Sequence, residues 1–533
     1  MERFVRLAAT ALVALCLFGC KSTFLIHPYL QNPGPKQITI MFETLTPGPS
    51  IRYRQKGSID FRQVSANPVA DKQLLFRSQL TGLQPDTVYE YQVVHPLAKS
   101  NLYEFRTWPE DVSATDSKKI VLFSDSQGDH PWRLGLITSR GIIDKECSQG
   151  LVANCVNEIA AIVVPGDIVT AGDNPLQWRM QFFNKIKEIS PYVPILPAIG
   201  NHDQPNTLWK HYFEVPDNQE SAFAEQWYRV DYGNIRWLTM DTNVGQDSEA
   251  ALKQLQWLDQ VLASAASDET VDFLLMQFHH PCKSVFWVPG ESPLSCQFVA
   301  RLEAFTAQTG KPSGHFFGHT HAYSRGNSRD VKHLWTNVAS SAGNIDYWGE
   351  YEQRDYDEFY MNFDEYGFNV LHILGANESS EHNVGLRLVR RTGGQDLWYY
   401  DFVDEEIRDD ITIYRQSELP ERPVALVPHQ QTVLVDQVFL QGSEFMSEVT
   451  SRHLESHWQV EATDQSWRKD YWGNRTRSVH YWFDRDTQMG VDITTFKVEG
   501  LEPEKSYRWR VRYRDEHLSW SAWSDYGYFV TAP

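Results

Sequence analysis

Six residues of metal-binding type are spread along the middle of the chain, and each follows a short apolar run. Runs of about four apolar residues bounded by glycine or proline are typical of buried strands. In open α/β sheets, ligands bind beyond the carboxyl ends of such strands. The spacing therefore predicts that separate strand ends bring oxygen and imidazole ligands to one metal centre. In chain order these residues are Asp125, Asp167, Asn201, His279, His319 and His321.

Two short motifs, Gly200-Asn201-His202-Asp203 and Gly318-His319-Thr320-His321, place such residues next to glycines. Glycine lets the backbone turn sharply and approach an ion closely. A carboxylate such as that of Asp167 can bridge two cations, and amide oxygens and imidazoles suit Zn, Fe or Mn ions. Two neighbouring ions can stabilise the entering and leaving oxygens of an in-line phosphoryl displacement. The two motifs together favour that chemistry.

Length and composition describe an ordinary globular protein. The chain has 533 residues, of which 41% are hydrophobic and 22% charged, so we expect roughly two to four domains. Its formal net charge of −20 argues against a nucleic-acid surface, which needs a basic stripe. A small phosphorylated substrate remains compatible with this charge, because bound cations would dominate the local field.

The first residues have the pattern of an export signal. Arg3 and Arg6 form a positive end, and the apolar stretch from Leu7 to Phe18 is too short to span a bilayer. We therefore expect residues 1–19 to be a signal peptide. No later segment reaches the roughly 18 apolar residues that a spanning helix needs.

The end of this segment, Leu17-Phe18-Gly19-Cys20, resembles the lipobox of bacterial lipoproteins. The resemblance implies that Cys20 is acylated and anchors the mature protein to a membrane. Lys21 favours the outer membrane, with the protein periplasmic or at the cell surface. An ordinary signal peptide that happens to contain a cysteine is the alternative.

Export also makes disulfides possible. The spacing of the four remaining cysteines suggests two local pairs, although three pairings are formally possible. In the alternative, Cys282 binds metal, since it follows His279 closely. The two suggested pairs are Cys147 with Cys155 and Cys282 with Cys296.

One motif occurs near both ends of the chain. Leu83-Gln84-Pro85 precedes Tyr89 with the same offsets by which Leu501-Glu502-Pro503 precedes Tyr507. This signature resembles the tyrosine corner of fibronectin type III sandwiches. We therefore expect all-β sandwiches over residues 20–109 and 425–533, on either side of a catalytic domain over residues 118–410.

The last predicted sandwich contains a strand with arginines at every second position, followed by Trp520-Ser521-Ala522-Trp523-Ser524. Period-two spacing puts the guanidinium groups on one face, where tryptophan rings can stack between them. This pattern resembles the Trp-Ser-x-Trp-Ser element of cytokine receptors. A stack that stiffens the sandwich is the favoured interpretation, and contact with a glycan or protein is the alternative. The arginines are Arg508, Arg510, Arg512 and Arg514.

With these motifs in place, residues 118–400 resemble the calcineurin-like metallophosphoesterases. The segment from Gly318 to Arg325, together with an N-terminal sandwich, is similar to purple acid phosphatases. The resemblance implies an α/β fold with four α/β/β/α layers. It also implies a dinuclear hydrolase of phosphate esters, in which a metal-bound hydroxide attacks phosphorus. Its cofactors would be two divalent or trivalent ions of Mn, Fe or Zn.

The resemblance also assigns roles to single residues. Asp167 would bridge the two ions, and His202 would stabilise the transition state or protonate the leaving oxygen, oriented by Asp203. His280 would either reach the leaving group or make a supporting hydrogen bond. The first metal would be held by Asp125 and His321, and the second by Asn201, His279 and His319.

Two positions depart from the family pattern. The usual Asp-x-His motif reads Asp125-Ser126-Gln127 here, and we expect the Gln127 carbonyl oxygen to be a first-metal ligand. An oxygen ligand in place of imidazole favours Mn, Mg or Fe over Zn. Thr170 stands where purple acid phosphatases have the tyrosine that gives them their colour.

Two other functions compete with the phosphatase hypothesis. A phosphodiesterase or nucleotide hydrolase would use the same chemistry with different pocket loops. A cell-surface binding protein with a catalytically idle core is the second alternative. Gln127 favours the idle protein, whereas the intact Asn201, His202 and Asp203 favour activity.

Overall fold

The computed structural model describes residues 24–95, 99–110, 118–375, 384–395, 407–472 and 476–533. The expected signal peptide and the lipidation site Cys20 lie outside these residues. Within them, no helix combines the length and apolar character needed to cross a membrane.

The N-terminal region consists of two four-stranded antiparallel sheets, β1-β2-β6-β5 and β4-β3-β7-β8. Apolar side chains from both sheets, including Ile40 and Tyr91, form one buried cluster. The Tyr89 hydroxyl accepts a hydrogen bond from the Gln84 N–H at 2.9 Å, as the tyrosine-corner motif predicts. The strands are β1 (Phe24–Gln31), β2 (Gln37–Thr44), β3 (Ser50–Gln55), β4 (Arg62–Ser65), β5 (Asn67–Val69), β6 (Lys72–Thr81), β7 (Val88–Val94) and β8 (Tyr103–Arg106).

The central region contains two larger sheets, ordered β11-β10-β9-β19-β20-β21 and β12-β13-β14-β15-β17-β16-β18. The first sheet uses β9 (Lys118–Leu122), β10 (Ile159–Val164), β11 (Ile195–Pro197), β19 (Tyr366–Leu374), β20 (Gly385–Gly394) and β21 (Ile407–Tyr414). The second uses β12 (Tyr228–Tyr232), β13 (Ile235–Thr239), β14 (Phe273–Gln277), β15 (Ser313–Phe317), β16 (Tyr323–Asn327), β17 (His333–Asn337) and β18 (Phe359–Phe363).

These two sheets pack against each other, and helices cover the outer face of the second sheet. Side chains alternate along β14: Phe273 and Leu275 join the core between the sheets, whereas Leu274 and Met276 face the helices Glu249–Ser267 and Pro293–Thr309. This period of two is what a strand buried on both faces requires. The region is therefore a mixed α/β domain.

Shorter helices lie in the connections of the first sheet, before β12, and between β14 and β15. They include two π-helical turns, Ile137–Ile143 and Trp178–Phe183, and 3-10 turns at Ser148–Gly150, Val152–Asn154, Ser221–Phe223 and Val288–Gly290. The short α-helices are Trp132–Leu136, Asp144–Glu146, Cys155–Glu158, Pro175–Gln177, Asn184–Ile186 and Thr207–Tyr212.

The central domain ends later than expected. Strand β21 pairs with β20 along its length and continues to Tyr414, so the predicted boundary at residue 410 falls inside a strand.

The C-terminal region is all β, with sheets β22-β24-β29 and β23-β31-β30-β25-β26 and a small hairpin β27-β28. The Tyr507 hydroxyl accepts a hydrogen bond from the Glu502 N–H at 2.9 Å. The strands are β22 (Ala425–Val427), β23 (Gln431–Val433), β24 (Phe439–Gly442), β25 (His453–Ala462), β26 (Arg468–Tyr471), β27 (Tyr481–Trp482), β28 (Arg485–Asp486), β29 (Thr495–Lys497), β30 (Ser506–Asp515) and β31 (Gly527–Thr531).

The arginines of β30 and the following aromatic rings form the predicted cation–π ladder. Arg510 lies 4.5 Å from the Trp523 ring, and Arg512 lies 4.4 Å from the Trp520 ring. The Trp520 indole donates to the Arg329 carbonyl at 2.7 Å. The end of the ladder therefore contacts the central domain.

A buried ionic cluster also joins the C-terminal and central domains. Glu455, fully buried, lies 3.2 Å from the Arg477 guanidinium and 3.4 Å from that of Arg514. Asn327 of β16 donates to the same carboxylate at 3.2 Å. Removing one partner of such a cluster leaves an uncompensated buried charge, so these contacts hold the two domains in one arrangement.

Candidate metal centre

The predicted ligands lie where the parallel strands end. Strands β9, β10 and β11 run parallel, as do β13, β14 and β15, so their carboxyl ends open on the same edges. Three of the ligands turn sharply there, with left-handed φ values of 55° at Asp125, 52° at Asp167 and 70° at His319. Non-glycine residues adopt this conformation at a cost, and such strain is concentrated at functional sites.

The two motif glycines allow the loops to approach closely. A Cβ atom on Gly200 would lie 2.1 Å from the Asp167 backbone nitrogen and 2.2 Å from its Oδ1. A Cβ atom on Gly318 would lie 2.3 Å from Asp125 Oδ2. Any side chain at either position would therefore push a carboxylate out of the site.

One group of side chains surrounds Asp125. Its Oδ1 lies 3.3 Å from His321 Nε2. The Gln127 amide nitrogen is 3.1 Å from the same His321 nitrogen and 3.1 Å from Asp167 Oδ2. We refer to Asp125, Gln127, His321 and Asp167 Oδ2 as the first ligand cluster.

A second group surrounds His279. Its Nε2 lies 3.2 Å from Asp167 Oδ1, 3.0 Å from Asn201 Oδ1 and 3.3 Å from His319 Nδ1. We refer to His279, Asn201, His319 and Asp167 Oδ1 as the second ligand cluster. Asp167 belongs to both clusters because its two oxygens face opposite sides.

Hydrogen bonds on the far side of two imidazoles decide which nitrogen faces each cluster. His279 Nδ1 is 2.9 Å from the Pro165 carbonyl oxygen, and His321 Nδ1 is 2.5 Å from that of Asn344. A carbonyl accepts only, so both Nδ1 atoms donate, and in the neutral rings both Nε2 atoms present lone pairs. Lone pairs therefore converge in each cluster, which is the arrangement that a cation satisfies.

Without a cation, the neighbouring carboxylates favour protonation of two of these imidazoles. Burial alone lowers the pKa of His279, but the Asp167 carboxylate outweighs it and raises this pKa to about 9. Burial also lowers the pKa of His321, but the hydrogen bond and charge of Asp125 outweigh it and raise this pKa to about 10. Burial and the neighbouring His279 lower the pKa of His319 to about 2. A cation must displace the protons of His279 and His321, so its affinity falls as the pH falls.

The donor set fits the metal ions that the family implies. The ligand atoms of Asp125, Asp167 and His279 lie within 4.8 Å of one another. Carboxylates, amide oxygens and imidazoles together suit Mn, Fe or Zn. The Gln127 Oε1 is buried and has no hydrogen-bond partner among the described residues. A half-turn of that amide brings this oxygen to the position of the nitrogen, which faces Asp167 and His321.

Replacing Gln127 by histidine tests this position. We expect Gln127→His to keep first-cluster metal binding and to shift its preference from Mn towards Zn, because imidazole is a softer donor than an amide oxygen. Gln127→Ala, which leaves no donor, should bind that ion about 10-fold to 100-fold more weakly. Competition titrations with Mn and Zn measure both effects. Unchanged affinities in the two variants would exclude Gln127 as a ligand.

Asp203 has different partners from those expected. Its carboxylate accepts hydrogen bonds from the N–H groups of Ile168 at 2.9 Å, Val169 at 3.2 Å and Gly200 at 2.9 Å. His202 instead places Nδ1 3.0 Å from the Thr170 carbonyl oxygen. The prediction that Asp203 orients the His202 ring is therefore wrong. Asp203 ties the loop of Asp167 to the loop of Asn201 and so positions ligands of both clusters.

His280 lies beside the second cluster, with its ring 4.3 Å from that of His319. Thr242 Oγ1 accepts the His280 backbone N–H at 3.0 Å and lies 2.9 Å from its Nδ1. The hydroxyl has a proton that it can donate to Nδ1, and in that tautomer the ring proton of His280 is on Nε2. Burial and the charge of His279 lower the pKa of His280 to about 3, which favours a neutral ring; with Nδ1 accepting from Thr242, its Nε2–H is a donor.

The four cysteines form the two suggested local pairs, Cys147 with Cys155 and Cys282 with Cys296. The alternative in which Cys282 binds metal is wrong, because its sulfur is in a disulfide. The second bridge closes the loop that follows His279 and His280, so it restrains one wall of the site.

Sequence reasoning missed the residues that support the ligands from a distance. Asp346 Oδ2 accepts the His321 backbone N–H at 2.8 Å, and Asn344 and Thr242 hold His321 and His280. Thr242 has a signal in the sequence, since it closely follows the largely apolar run from Ile235 to Met240. Asp346 lies in a loop with no such pattern.

The sequence of residues 118–323 matches the family model described as calcineurin-like phosphoesterase. In this sequence match and in the two ligand clusters, residues 118–323 are similar to the metallophosphoesterases, a class of phosphoric ester hydrolases. Over 226 residues, 38% of this chain and 42% of the relative, the sequence is 27% identical to an uncharacterized protein of Mycobacterium tuberculosis. Over 225 residues, 37% of this chain and 41% of the relative, it is 23% identical to purple acid phosphatase 13 of Arabidopsis thaliana. The chain thus spans less than half the length of the curated relatives it matches.

Solved structures share the fold. A purple acid phosphatase from yellow lupin seeds superposes with a TM-score of 0.55 at 18% identity, covering 73% of this chain and 74% of that one. A structure of PhoD gives a TM-score of 0.55 at 10% identity, covering 74% of this chain and 91% of that one.

Proposed function

We propose that this protein is a dinuclear metal-dependent phosphatase that hydrolyses phosphate esters. The observation that carries the proposal is the position of Asp167. One carboxylate oxygen faces His279 and accepts the His202 backbone N–H, and the other faces Gln127 of the first ligand cluster. A single buried carboxylate shared by two sets of converging lone pairs has the geometry of a bridging ligand.

Two bound ions would supply Lewis acidity towards the phosphate and a water activated for attack. The chain's own residues supply positioning and protons. The Nδ1–H of His202 donates a hydrogen bond to the Thr170 carbonyl oxygen. Any proton that His202 transfers to the leaving oxygen must therefore come from Nε2. His280 offers a neutral Nε2–H to a phosphate or leaving oxygen without adding charge.

The finer architecture and the location belong to the same proposal. Helices on the outer face of the second sheet support a four-layer α/β/β/α sandwich, and the two tyrosine hydroxyl bonds support fibronectin type III-like flanking domains. The two disulfides support export, because such bonds persist in oxidising compartments. We infer a lipid anchor at Cys20 on a bacterial membrane from the sequence pattern of residues 17–20.

An ester panel tests the proposal. Metal-depleted protein is supplied in turn with Mn, Fe and Zn and assayed with p-nitrophenyl phosphate and bis-p-nitrophenyl phosphate. We expect turnover of the monoester to exceed that of the diester and to need added metal. Preferred turnover of the diester would make the protein a phosphodiesterase. Metal binding without turnover of either ester would leave a binding protein.

A further inference from the structure

A row of aromatic rings runs from the second ligand cluster to the protein surface. The ring of Trp287 lies 5.0 Å from that of His319, and the ring of Tyr351 lies 5.7 Å from that of Trp287. Tyr351 and the nearby Tyr347 are 44% and 41% exposed. We refer to Trp287, Tyr347 and Tyr351 as the aromatic wall. Exposed aromatic rings beside ligand residues are available to a bound molecule.

Close packing fixes Trp287 against the ligand. A Cβ atom on Gly290 would lie 2.8 Å from Trp287 Cε3 and 3.1 Å from His319 Cδ2, so glycine is what allows the two rings to approach. The Val288 N–H donates to the Glu352 carbonyl at 2.9 Å. The Trp287 loop is therefore tied to the loop that carries Tyr351.

The loop that carries Tyr347 and Tyr351 is held in place by contacts on two sides. Asp346, one residue before Tyr347, holds the backbone of His321. Trp348 packs between Phe286, at 4.1 Å, and Phe483 of the C-terminal hairpin, at 4.8 Å. The wall is thus a preformed surface, and the C-terminal domain supports it.

Charge around the wall restricts what can lie on it. The Glu350 carboxylate accepts the Tyr347 N–H at 3.1 Å. Burial and the Asp346 and Glu350 carboxylates raise the pKa of Tyr351, which places both acids near its hydroxyl. Arg354 lies over the Tyr356 ring, and the Tyr356 hydroxyl binds Glu291. The acidic groups repel a second phosphate and tolerate an uncharged ring.

We propose that the aromatic wall binds the leaving group of the substrate, and that this group is an aromatic ring attached directly to the phosphate. Because Trp287 of the wall lies directly against the ligand His319, a ring attached directly to a phosphate at the second ligand cluster would meet the wall, whereas a longer linker would carry the ring past Trp287. The substrate class is thus aryl phosphomonoesters, of which O-phosphotyrosine is the form found in proteins. This inference rests on the proposed phosphatase function.

Equilibrium binding of two non-hydrolysable probes tests the wall. Phenylphosphonate and methylphosphonate carry the same phosphonate group and differ in the ring. Calorimetry on metal-loaded wild-type protein should show about 10-fold tighter binding of phenylphosphonate, since aromatic stacking contributes on this scale. In Trp287→Leu and Tyr351→Ala the preference should fall to about 2-fold. Tyr528→Ala, which removes a distant tyrosine that is also 44% exposed, should keep it.

The outcomes separate this inference from the function on which it rests. An equal affinity for both phosphonates in the wild type, or an undiminished preference in Tyr351→Ala, overturns the subsite and leaves a phosphatase without it. If wild-type protein binds neither phosphonate and hydrolyses no ester, the proposed function fails, and the subsite with it. Tyr351 is exposed, so its variant decides the matter even if Trp287→Leu does not fold.

Discussion

Replacing Asp167 by asparagine is expected to remove metal from both ligand clusters and to lower kcat/KM by at least ~10³-fold. Both of its carboxylate oxygens face ligands: Oδ1 lies 3.2 Å from His279 Nε2, and Oδ2 accepts from Gln127 at 3.1 Å. An amide keeps one oxygen, loses the negative charge and turns its NH2 group towards one cluster. Elemental analysis and monoester kinetics on the same preparation measure the effect.

A matched control separates loss of the bridge from loss of charge. Asp410 forms an exposed ion pair with Arg387, and Asp410→Asn removes the same unit of charge far from the ligands. Such exposed pairs contribute little to stability, so this variant should keep its metal and activity. An Asp167→Asn protein that retains two ions per chain would show that the two clusters do not depend on this carboxylate.

His202→Ala is expected to keep its metal and to lower kcat by ~10²–10⁴-fold for esters with poor leaving groups. The His202 backbone N–H donates to Asp167 at 2.9 Å, and alanine preserves that bond. Only the ring, held at the Thr170 carbonyl, is lost. An alkyl phosphate needs a proton on its leaving oxygen, whereas p-nitrophenolate leaves without one, so the alkyl ester should lose more.

Comparing kcat for glycerol phosphate and p-nitrophenyl phosphate, with metal content measured in parallel, checks this role. His429→Ala, which removes an exposed histidine of the C-terminal domain, is the control and should match the wild type. Equal losses for both esters would exclude His202 as the proton donor. Loss of metal would mean instead that its ring helps to hold the clusters.

The convergence of the candidate ligands could be predicted from the sequence because they lie just beyond strand ends. The strand pattern is local, and parallel strands necessarily bring their carboxyl ends together, as they do for Asp125 and Asp167. The cysteine pairs and tyrosine hydroxyl bonds are also local, since the tyrosine partners lie 5 residues apart and the cysteines 8 and 14 residues apart. The alternation of Arg510 and Arg512 predicted the cation–π ladder for the same reason.

The supporting residues could not be predicted, because their partners are distant in sequence. Asp203 was assigned to the adjacent His202, but its carboxylate caps backbone N–H groups of Ile168 and Val169 in another loop. Glu455 reaches across a domain boundary to Asn327. Contacts of this kind depend on how the loops and domains pack, and no spacing within one segment encodes them.

The central claim is that two neighbouring cations are bound by side chains that share Asp167. Elemental analysis of purified, active wild-type protein tests it most directly when the metal content is titrated against monoester turnover. The account predicts that turnover reaches its maximum at two ions per chain and is absent without metal. Full turnover at one ion per chain, or in protein stripped of metal, would contradict it.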